Sequence, residues 1–213
     1  MAHDPERTTP FGHVYWYLDG RAGMLMRFDF QQPHGPGSLD HSRAAVRRYP
    51  ELRVARVAGV VSHMVLDQGP APAAAGQGQG EGGGGGGAAQ PLAPRVLFVV
   101  DTGGGRVLRI DPDSGRLLRS AKREWPIYSS LAESFEYSIY GCTRHTVFAA
   151  GLSLPSGIAV DVRHVYVAEA TVGRGRVLAY DRHSGALLQV GQCLTPNQGK
   201  DPRILDFRRE VRY

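Results

Sequence analysis

Residues 97–118 read LFVVDTGGGRVLRIDPDSGRLL, and residues 165–188 read VYVAEATVGRGRVLAYDRHSGALL. The two stretches align throughout, with Asp101 opposite Glu169 and a shared Gly-Arg-Val-Leu, and the two extra residues of the later copy fall in its glycine-containing turn. Each copy holds a run of β-branched and aromatic residues, a glycine-rich turn, a second alternating strand and a turn that ends in Ser-Gly. This repetition predicts an all-β fold built from similar hairpins.

A shorter third copy lies near the N-terminus. Residues 14–19 read VYWYLD, and after a Gly-Arg-Ala-Gly turn residues 24–29 read MLMRFD. Asp19 therefore stands where Asp101 stands in the second copy, and Asp29 lies at the same separation from it as the matching acid does there. The chain thus carries the same pair of strands three times.

Short apolar segments ahead of two copies predict a further strand in each unit. Residues 61–67 (VSHMVLD) precede the second copy, and residues 155–161 (PSGIAVD) precede the third. We expect residues 116–120 to form the outer, fourth strand of the second unit. A four-stranded antiparallel unit that repeats along the chain is the building block of a β-propeller.

These segments resemble an NHL repeat through PSGIAVD, VYVAE and GRVLAYD of the third copy. The resemblance covers residues 155–190 well, 59–118 with an interruption and 12–30 in part. It implies an all-β fold, an incomplete β-propeller of about three four-stranded antiparallel blades, with residues 1–213 as a single unit. The expected parts are a partial first blade at 12–58, a second blade at 59–120, a third blade at 153–190 and a tail at 191–213.

Three blades are too few to close a ring, since propellers have about four or more. The first copy also shows no inner strand in its sequence pattern. The sequence therefore favours a fragment of a longer propeller. The alternative is an open assembly in which residues 204–207 of the tail supply the missing strand.

Two segments interrupt the repeat. Residues 69–94 are rich in Gly, Ala and Pro with a single charge, Glu81, which predicts a disordered loop. The literal GxGxxG spacing within it lacks the strand and helix of a dinucleotide site, so it predicts none. Residues 121–152 are rich in aromatics, which we expect to pack over the gap between blades, and the alternative is a cap that shapes a pocket on one face.

Charge and composition restrict the partners. The formal net charge is +5, and Arg supplies 23 of the 25 basic residues. Because the arginines are scattered rather than clustered, a nucleic-acid partner is disfavoured, although the charge leaves it open. The sequence shows neither a signal peptide nor an apolar run long enough for a membrane span. We therefore expect no membrane association and slightly favour the cytoplasm. Cys142 and Cys193 lack metal-ligand spacing and are expected to be buried thiols.

Four residues are candidates for a binding site, and no complete catalytic motif accompanies them. His63 begins the second inner strand, where it would face the central funnel of a propeller. In the peptide-amidating lyases that the blades resemble, histidines at inner positions hold a metal ion, but the third copy has Gly157 at the position of His63. His34, Asp40 and His41 share one Gly- and Pro-rich loop, whose spacing fits a plain turn better than a ligand set.

The sequence therefore predicts a binding or scaffolding module whose partner is a protein or a small molecule at the propeller face. The alternative is a fragment of a metal-dependent lyase or hydrolase with its site near His63. Cofactors, metals and enzymatic activity stay undetermined.

One acidic position recurs in all three copies, at Asp19, Asp101 and Glu169. Three converging acids could bind a cation or transfer protons. Because a site normally uses one special copy, we expect a structural role instead. The acids would accept backbone N–H bonds or pair with the arginine of the adjacent turn, Arg106 or Arg176.

Overall fold

The computed structural model describes residues 1–5, 14–31, 44–69, 94–125, 133–171 and 174–193. These residues form β1 Ala2–Asp4, β2 Val14–Leu18, β3 Met24–Asp29, β4 Ala45–Arg53, β5 Met64–Asp67, β6 Val96–Asp101, β7 Arg106–Ile110, β8 Arg116–Trp125, β9 Glu133–Gly141, β10 His145–Ala150, β11 Pro155–Val160, β12 His164–Thr171, β13 Arg174–Asp181 and β14 Leu187–Cys193. The predicted all-β class is confirmed. None of the described residues belongs to a helix long and apolar enough to cross a membrane.

The strands form three sheets, which we number in chain order. The first sheet has the order β1-β2-β3-β4-β9-β8, the second β10-β7-β6-β5 and the third β11-β12-β13-β14. Neighbouring strands are antiparallel except β4 and β9, which are parallel. Each repeat copy supplies two adjacent strands of a different sheet.

The first sheet corrects two expectations. Ala2–Asp4 pairs with β2 as a first strand that the sequence did not show, because three residues are too short for a visible alternation. The sheet also has six strands rather than four, since the β8–β9 hairpin adds to β4. Glu51 on β4 holds this hairpin by accepting N–H bonds from Cys142 at 3.1 Å and Thr143 at 2.7 Å. Burial acts against the charge of Glu51, but these bonds bring the pKa of its carboxyl below the ordinary value.

The second sheet corrects a third expectation. Residues 116–120 leave this sheet as the start of β8, and β10 takes the fourth place beside β7. Segment 121–152 is therefore not an insertion, because it contains the end of β8, all of β9 and β10. Two of its aromatic side chains, Tyr140 and Phe148, do pack against the cores between sheets.

The sheets are stacked, with the second between the other two. We call the side of a sheet that points toward the next sheet in number its front face, and the opposite side its back face. The front of the first sheet and the back of the second share a core of Ala2, Trp16, Leu25, Tyr49, Leu52, Val54, Met64, Leu97, Val99, Leu108 and Ile110. The front of the second and the back of the third share Phe98, Val100, Val107, Ala149, Leu152, Val165, Val167, Leu178 and Tyr180.

The first strands of the three sheets are neighbours, since β5 contacts β1 on one side and β11 on the other. Residues 70–93 of the predicted disordered loop and residues 194–213 of the tail lie outside the described residues. The expectations for those two segments therefore stay predictions.

Candidate binding surface

Asp101 ends β6 and ties the second sheet to the first. One of its carboxylate oxygens accepts N–H bonds from Ala55, which follows β4, at 2.7 Å and from Gly104 at 3.1 Å. The other oxygen accepts a 2.8 Å bond from Nε of Arg106. Asp101 is 1% exposed, so these bonds replace its hydration.

Glu169 repeats this contact between the second and third sheets. It accepts an N–H bond from Ser153, which follows β10, at 2.7 Å, and it pairs with Nε of Arg176. The predicted structural role of the recurring acid is therefore confirmed at Asp101 and Glu169. In both cases the donor follows the fourth strand of the preceding sheet.

The residue before each donor is also held in the same way. Val54 N donates to Gly23 O at 3.0 Å, and Leu152 N donates to Gly105 O at 2.9 Å. Both glycines have positive φ, 64° and 59°, and a Cβ at either would overlap the carbonyl oxygen of the segment it holds. The glycine of the repeat turn is thus required by backbone geometry and by close approach.

Asp19 occupies the same position in the first sheet but lacks the same contact within the described part of the chain. Its carboxylate accepts a 2.8 Å bond from the N–H of Arg21, two residues on. The residue is partly exposed, unlike its two counterparts. The described residues place no sheet behind the first one that could donate to it.

The front face of the third sheet matches a face that is buried in the second. Phe98, Val100 and Val107 of the second sheet are at most 1% exposed because the third sheet covers them. Their counterparts in the repeat, Tyr166, Ala168 and Val177, are partly exposed. Together with the exposed Ala159, which pairs with Tyr166, these three residues form what we call the open face.

A polar group borders the open face at the turn between β11 and β12. Asp161 accepts N–H bonds from Arg163 at 2.7 Å and His164 at 2.6 Å. Its second oxygen accepts a 2.9 Å bond from the Tyr166 hydroxyl and lies 3.3 Å from Nδ1 of His164.

These bonds set the charge of the group. The backbone bond from Arg163 is the largest cause that holds the pKa of Asp161 well below its ordinary value. The bond to Asp161 raises the pKa of the Tyr166 hydroxyl. The group is an ionised carboxylate with its lone pairs in use beside a neutral phenol, which suits recognition better than nucleophilic chemistry.

A second charged cluster is buried between the first and second sheets. Asp4 is 0% exposed and accepts bonds from Nε1 of Trp16 at 2.9 Å and from Arg95 at 2.6 Å. Arg27, 2% exposed, lies 4.0 Å from the same carboxylate and 3.4 Å from that of Asp29. Because the sheets enclose it, this cluster serves as an internal polar contact rather than a ligand site.

Of the four residues predicted as a binding site, the structure describes only His63, so that prediction stays a prediction. His63 lies just before β5 with its side chain exposed, and its carbonyl oxygen accepts a 2.9 Å bond from Val100 N. Within the described ranges, no group of three or more His, Cys, Asp or Glu residues could hold a metal ion. His34, Asp40 and His41 lie outside those ranges.

Cys142 corrects a smaller expectation, because it is exposed rather than buried. It lies between β9 and β10, and its φ of 59° is outside the range of a regular strand. The sequence pattern offers no signal for this exit from the sheet.

The open face was not among the predicted sites. Its alternation, HVYVA in β12, is the same signal that marks the buried strands of the other sheets. Whether such a face is covered or open depends on the order of the sheets in the stack, which the alternation does not show. The polar group did have a local signal, since Asp-x-x-His favours a turn capped by the aspartate.

No protein-family model matches the chain, and no curated protein or solved structure matches it. These comparisons supply neither a family nor a fold neighbour. The resemblance to NHL repeats therefore rests on the residues of the chain alone.

Proposed function

We propose that the chain is a segment of an NHL-like β-propeller that serves as a binding or scaffolding module. The observation that carries this proposal is the repeated contact between sheets. At both interfaces, a residue that follows the fourth strand of one sheet donates its N–H to an acid of the next sheet. The acid is Asp101 at the end of β6 in one case and Glu169 near the end of β12 in the other. The contacts among β1, β5 and β11 support an arrangement with the first strands nearest a common axis.

The side chains on the open face suit a partner with an apolar surface. Tyr166, Ala168 and Val177 offer a phenol edge and small apolar groups, with an ionised carboxylate at the margin. A protein surface or a small apolar molecule would match this chemistry. We propose such a partner for the module.

The arginines support this partner over a nucleic acid. Many described arginines pair with carboxylates of the chain itself: Arg27, Arg95, Arg106, Arg144, Arg176 and Arg182. Phosphate binding requires clustered cationic side chains that can meet the backbone of the nucleic acid. Arginines engaged inside and between sheets contribute little to such a cluster.

We do not extend the proposal to a metal-dependent lyase or hydrolase. Such an enzyme would need further ligands beside His63, and the described residues place no such group there. One histidine supplies one coordination position of the four or more that a metal ion requires.

Metal titration of the full chain tests this choice. Wild type, His63→Ala and the control His183→Ala, a turn residue, are equilibrated with Zn²⁺ and then with Ca²⁺. Bound metal and melting temperature are measured for each. We expect no stoichiometric ion and the same melting temperature shift in all three. One ion per chain that is lost only in His63→Ala would overturn the binding-module proposal in favour of a metal-dependent enzyme.

Amide hydrogen exchange tests the stacked arrangement separately. The amides of β6 and β7 lie between the two cores, and those of β12 and β13 lie beside the second core. All four strands should exchange slowest, in one cooperative unit. Sheets that exchange as independent units would overturn the arrangement on which the proposal depends.

A further inference from the structure

We infer that an acidic segment of a partner protein docks where the loop of residues 55–63 leaves the first sheet. The surface, which we call the basic loop surface, consists of Arg21, Arg53, Arg56, Val57, Val60 and Val61. It belongs to the first sheet and its following loop, whereas the open face belongs to the third sheet. The inference rests on the proposed function only in that the chain binds a protein.

The first step is a cluster of arginines that are distant in the sequence. Arg53 ends β4 and pairs with Met24 at the start of β3. Arg21 lies in the turn before β3, and its carbonyl oxygen accepts a bond from Nη1 of Arg56 at 3.5 Å. The fold therefore gathers at one end of the first sheet three arginines that the sequence scatters.

The second step is the charge of this cluster. All three arginines are exposed, and within the described part of the chain none of their guanidinium groups pairs with a carboxylate. Nε of Arg53 donates to Pro50 O at 3.1 Å, and Arg56 reaches the carbonyl of Arg21. Asp19 in the same turn accepts the backbone N–H of Arg21, so one acid stands against three arginines. The cluster keeps a positive charge that a partner can neutralise.

The third step is the fixed position of the loop. Its start is held on the second sheet, since Ala55 N donates to Asp101 and Ala55 O accepts the N–H of Gly103 at 2.8 Å. Its end is held as well, because the hydroxyl oxygens of Ser62 and Thr102 are hydrogen-bonded at 2.7 Å. A loop that is already ordered loses little conformational entropy when a partner binds.

The fourth step is the apolar part of the surface. Val60 N donates to Val57 O at 3.2 Å, and Gly59 between them has a φ of 76°, so residues 57–60 form a tight turn. Val61 directly after the turn is 66% exposed, and Val57 and Val60 are partly exposed. Protein interfaces are enriched in arginine and bury apolar side chains at their centre, so this surface has both components.

These two components select the occupant. Guanidinium groups form charge-assisted bonds with carboxylates, and the net charge of +5 on the chain favours an acidic partner. A nucleic acid would also meet the arginines, but the groups beside them are valines, which lack the flat ring on which a base stacks. An acidic protein segment with apolar side chains among its carboxylates fits both parts of the surface.

The test is the selection of binders from a random peptide phage library on the immobilised full chain. The enriched peptides are synthesised, and their dissociation constants are measured by fluorescence anisotropy. We expect peptides with several Asp or Glu residues and apolar residues among them. The double variant Arg53→Gln with Arg56→Gln should weaken their binding at least about tenfold, as for the loss of bonds to a charged group.

The matched control is Arg116→Gln with Arg119→Gln, because these two exposed arginines lie on β8. The control removes the same charge elsewhere and should leave the affinity within about twofold. Val61→Ser tests the apolar part and should weaken binding about fivefold. Equal weakening by the control and by the double variant would show that net charge alone attracts the peptides, and the inference would be overturned.

Folding of every variant is checked by circular dichroism and melting, and Arg21→Gln replaces the double variant if that protein does not fold. Selection that enriches no peptide, or peptides without an excess of acidic residues, would overturn the inference. So would an oligouridine RNA that binds more tightly than the selected peptides and loses its binding in the double variant, because the occupant would then be a phosphate backbone.

Failure of this inference and failure of the proposed function give different results. Peptides whose binding is lost in Ala168→Arg but kept in the double variant bind the open face, so they would support the proposed function and overturn the inference. Acidic peptides that bind the arginine cluster while the three sheets exchange as independent units would support the inference and overturn the stacked arrangement.

Discussion

The second and third sheets are built from closely similar sequence, yet they obtain their fourth strands from different places. In the third sheet β14 follows the repeat turn directly. In the second sheet the corresponding residues depart into β8, and β10 arrives from farther along the chain. The comparison shows which part of the repeat specifies structure and which part does not.

The repeat turn makes the same backbone contact with the start of the fourth strand in both sheets, although that strand comes from different parts of the chain. In the third sheet Asp181 N donates to Ala186 O at 2.8 Å, and in the second Asp111 N donates to Arg144 O at 2.9 Å. Ser114 adds to the second contact by accepting the N–H of Arg144 at 2.8 Å. The acceptor precedes the fourth strand in both sheets, so the turn fixes the register of a strand without fixing its origin.

The Leu-Leu pair after the turn shows why the exchange is tolerated. Leu117 and Leu118 are 53% and 55% exposed, and Leu187 and Leu188 are exposed to the same extent. These residues contribute little to either core, so burial does not hold them in the fourth place. A strand with better partners elsewhere can leave the sheet at small cost.

The largest difference expected between the two sheets concerns one aromatic position. Phe98 lies between two sheets and is 1% exposed, whereas its counterpart Tyr166 lies on the open face. Phe98→Ala should lower the free energy of unfolding by about 3–5 kcal/mol, because it leaves a cavity in a closed core. Tyr166→Ala should cost about 1 kcal/mol, because it removes one hydrogen bond and partly exposed surface.

Urea unfolding of both variants at low protein concentration measures this contrast. Equal costs for the two variants in the monomer would show that the open face is covered within a single chain, and the comparison would fail.

A middle-sized effect is expected at the recurring acid. Asp101→Asn keeps the size of the side chain but weakens two hydrogen bonds. One comes from Ala55 across the interface, and the other comes from Arg106 of the same sheet. We expect a loss of about 2 kcal/mol in unfolding free energy, as for hydrogen bonds to a charged group. Asp19→Asn is the matched variant and should cost only a few tenths of a kcal/mol, as for an exposed local bond. A large loss at Asp19 in the monomer would mean that it already has an intersheet donor.

Local patterns revealed the repeat, the class and the structural role of two acids. The aligned hairpins located β6, β7, β12 and β13, and the segments ahead of them located β5 and β11. These features depend on neighbours a few residues away, so turn chemistry and alternation are sufficient to show them.

Longer-range choices could not be read in the same way. Residues 116–120 carry the pattern of a fourth strand, but their pairing with β9 depends on residues that follow much later. Ala2–Asp4 is a strand only because β2 pairs with it. The open face was missed for a related reason, since Tyr166 alternates like any core residue and only the order of the sheets leaves it at an end.

The smallest expected effect concerns the acid at the end of each first strand. In the second sheet Asp67 pairs across the interface with Arg182 at 2.5 Å. In the third sheet Asp161 accepts hydrogen bonds from the backbone of its own hairpin and from the Tyr166 hydroxyl, and its side chain is 47% exposed. The two acids thus report whether a next sheet is present.

The pH dependence of Asp161 follows from its contacts. Its folded-state pKa lies below the ordinary value, so its stabilising effect is present above that ordinary value and is lost as the pH falls through the folded-state pKa. Tyr166→Phe removes one donor and should move the midpoint of Asp161 upward, toward the ordinary value. A carboxyl-carbon NMR titration of both proteins measures the midpoint, with Tyr180→Phe on the opposite face as control. An unchanged midpoint in Tyr166→Phe would mean that the backbone bonds alone account for the low pKa of Asp161 and that the hydroxyl does not contribute to it.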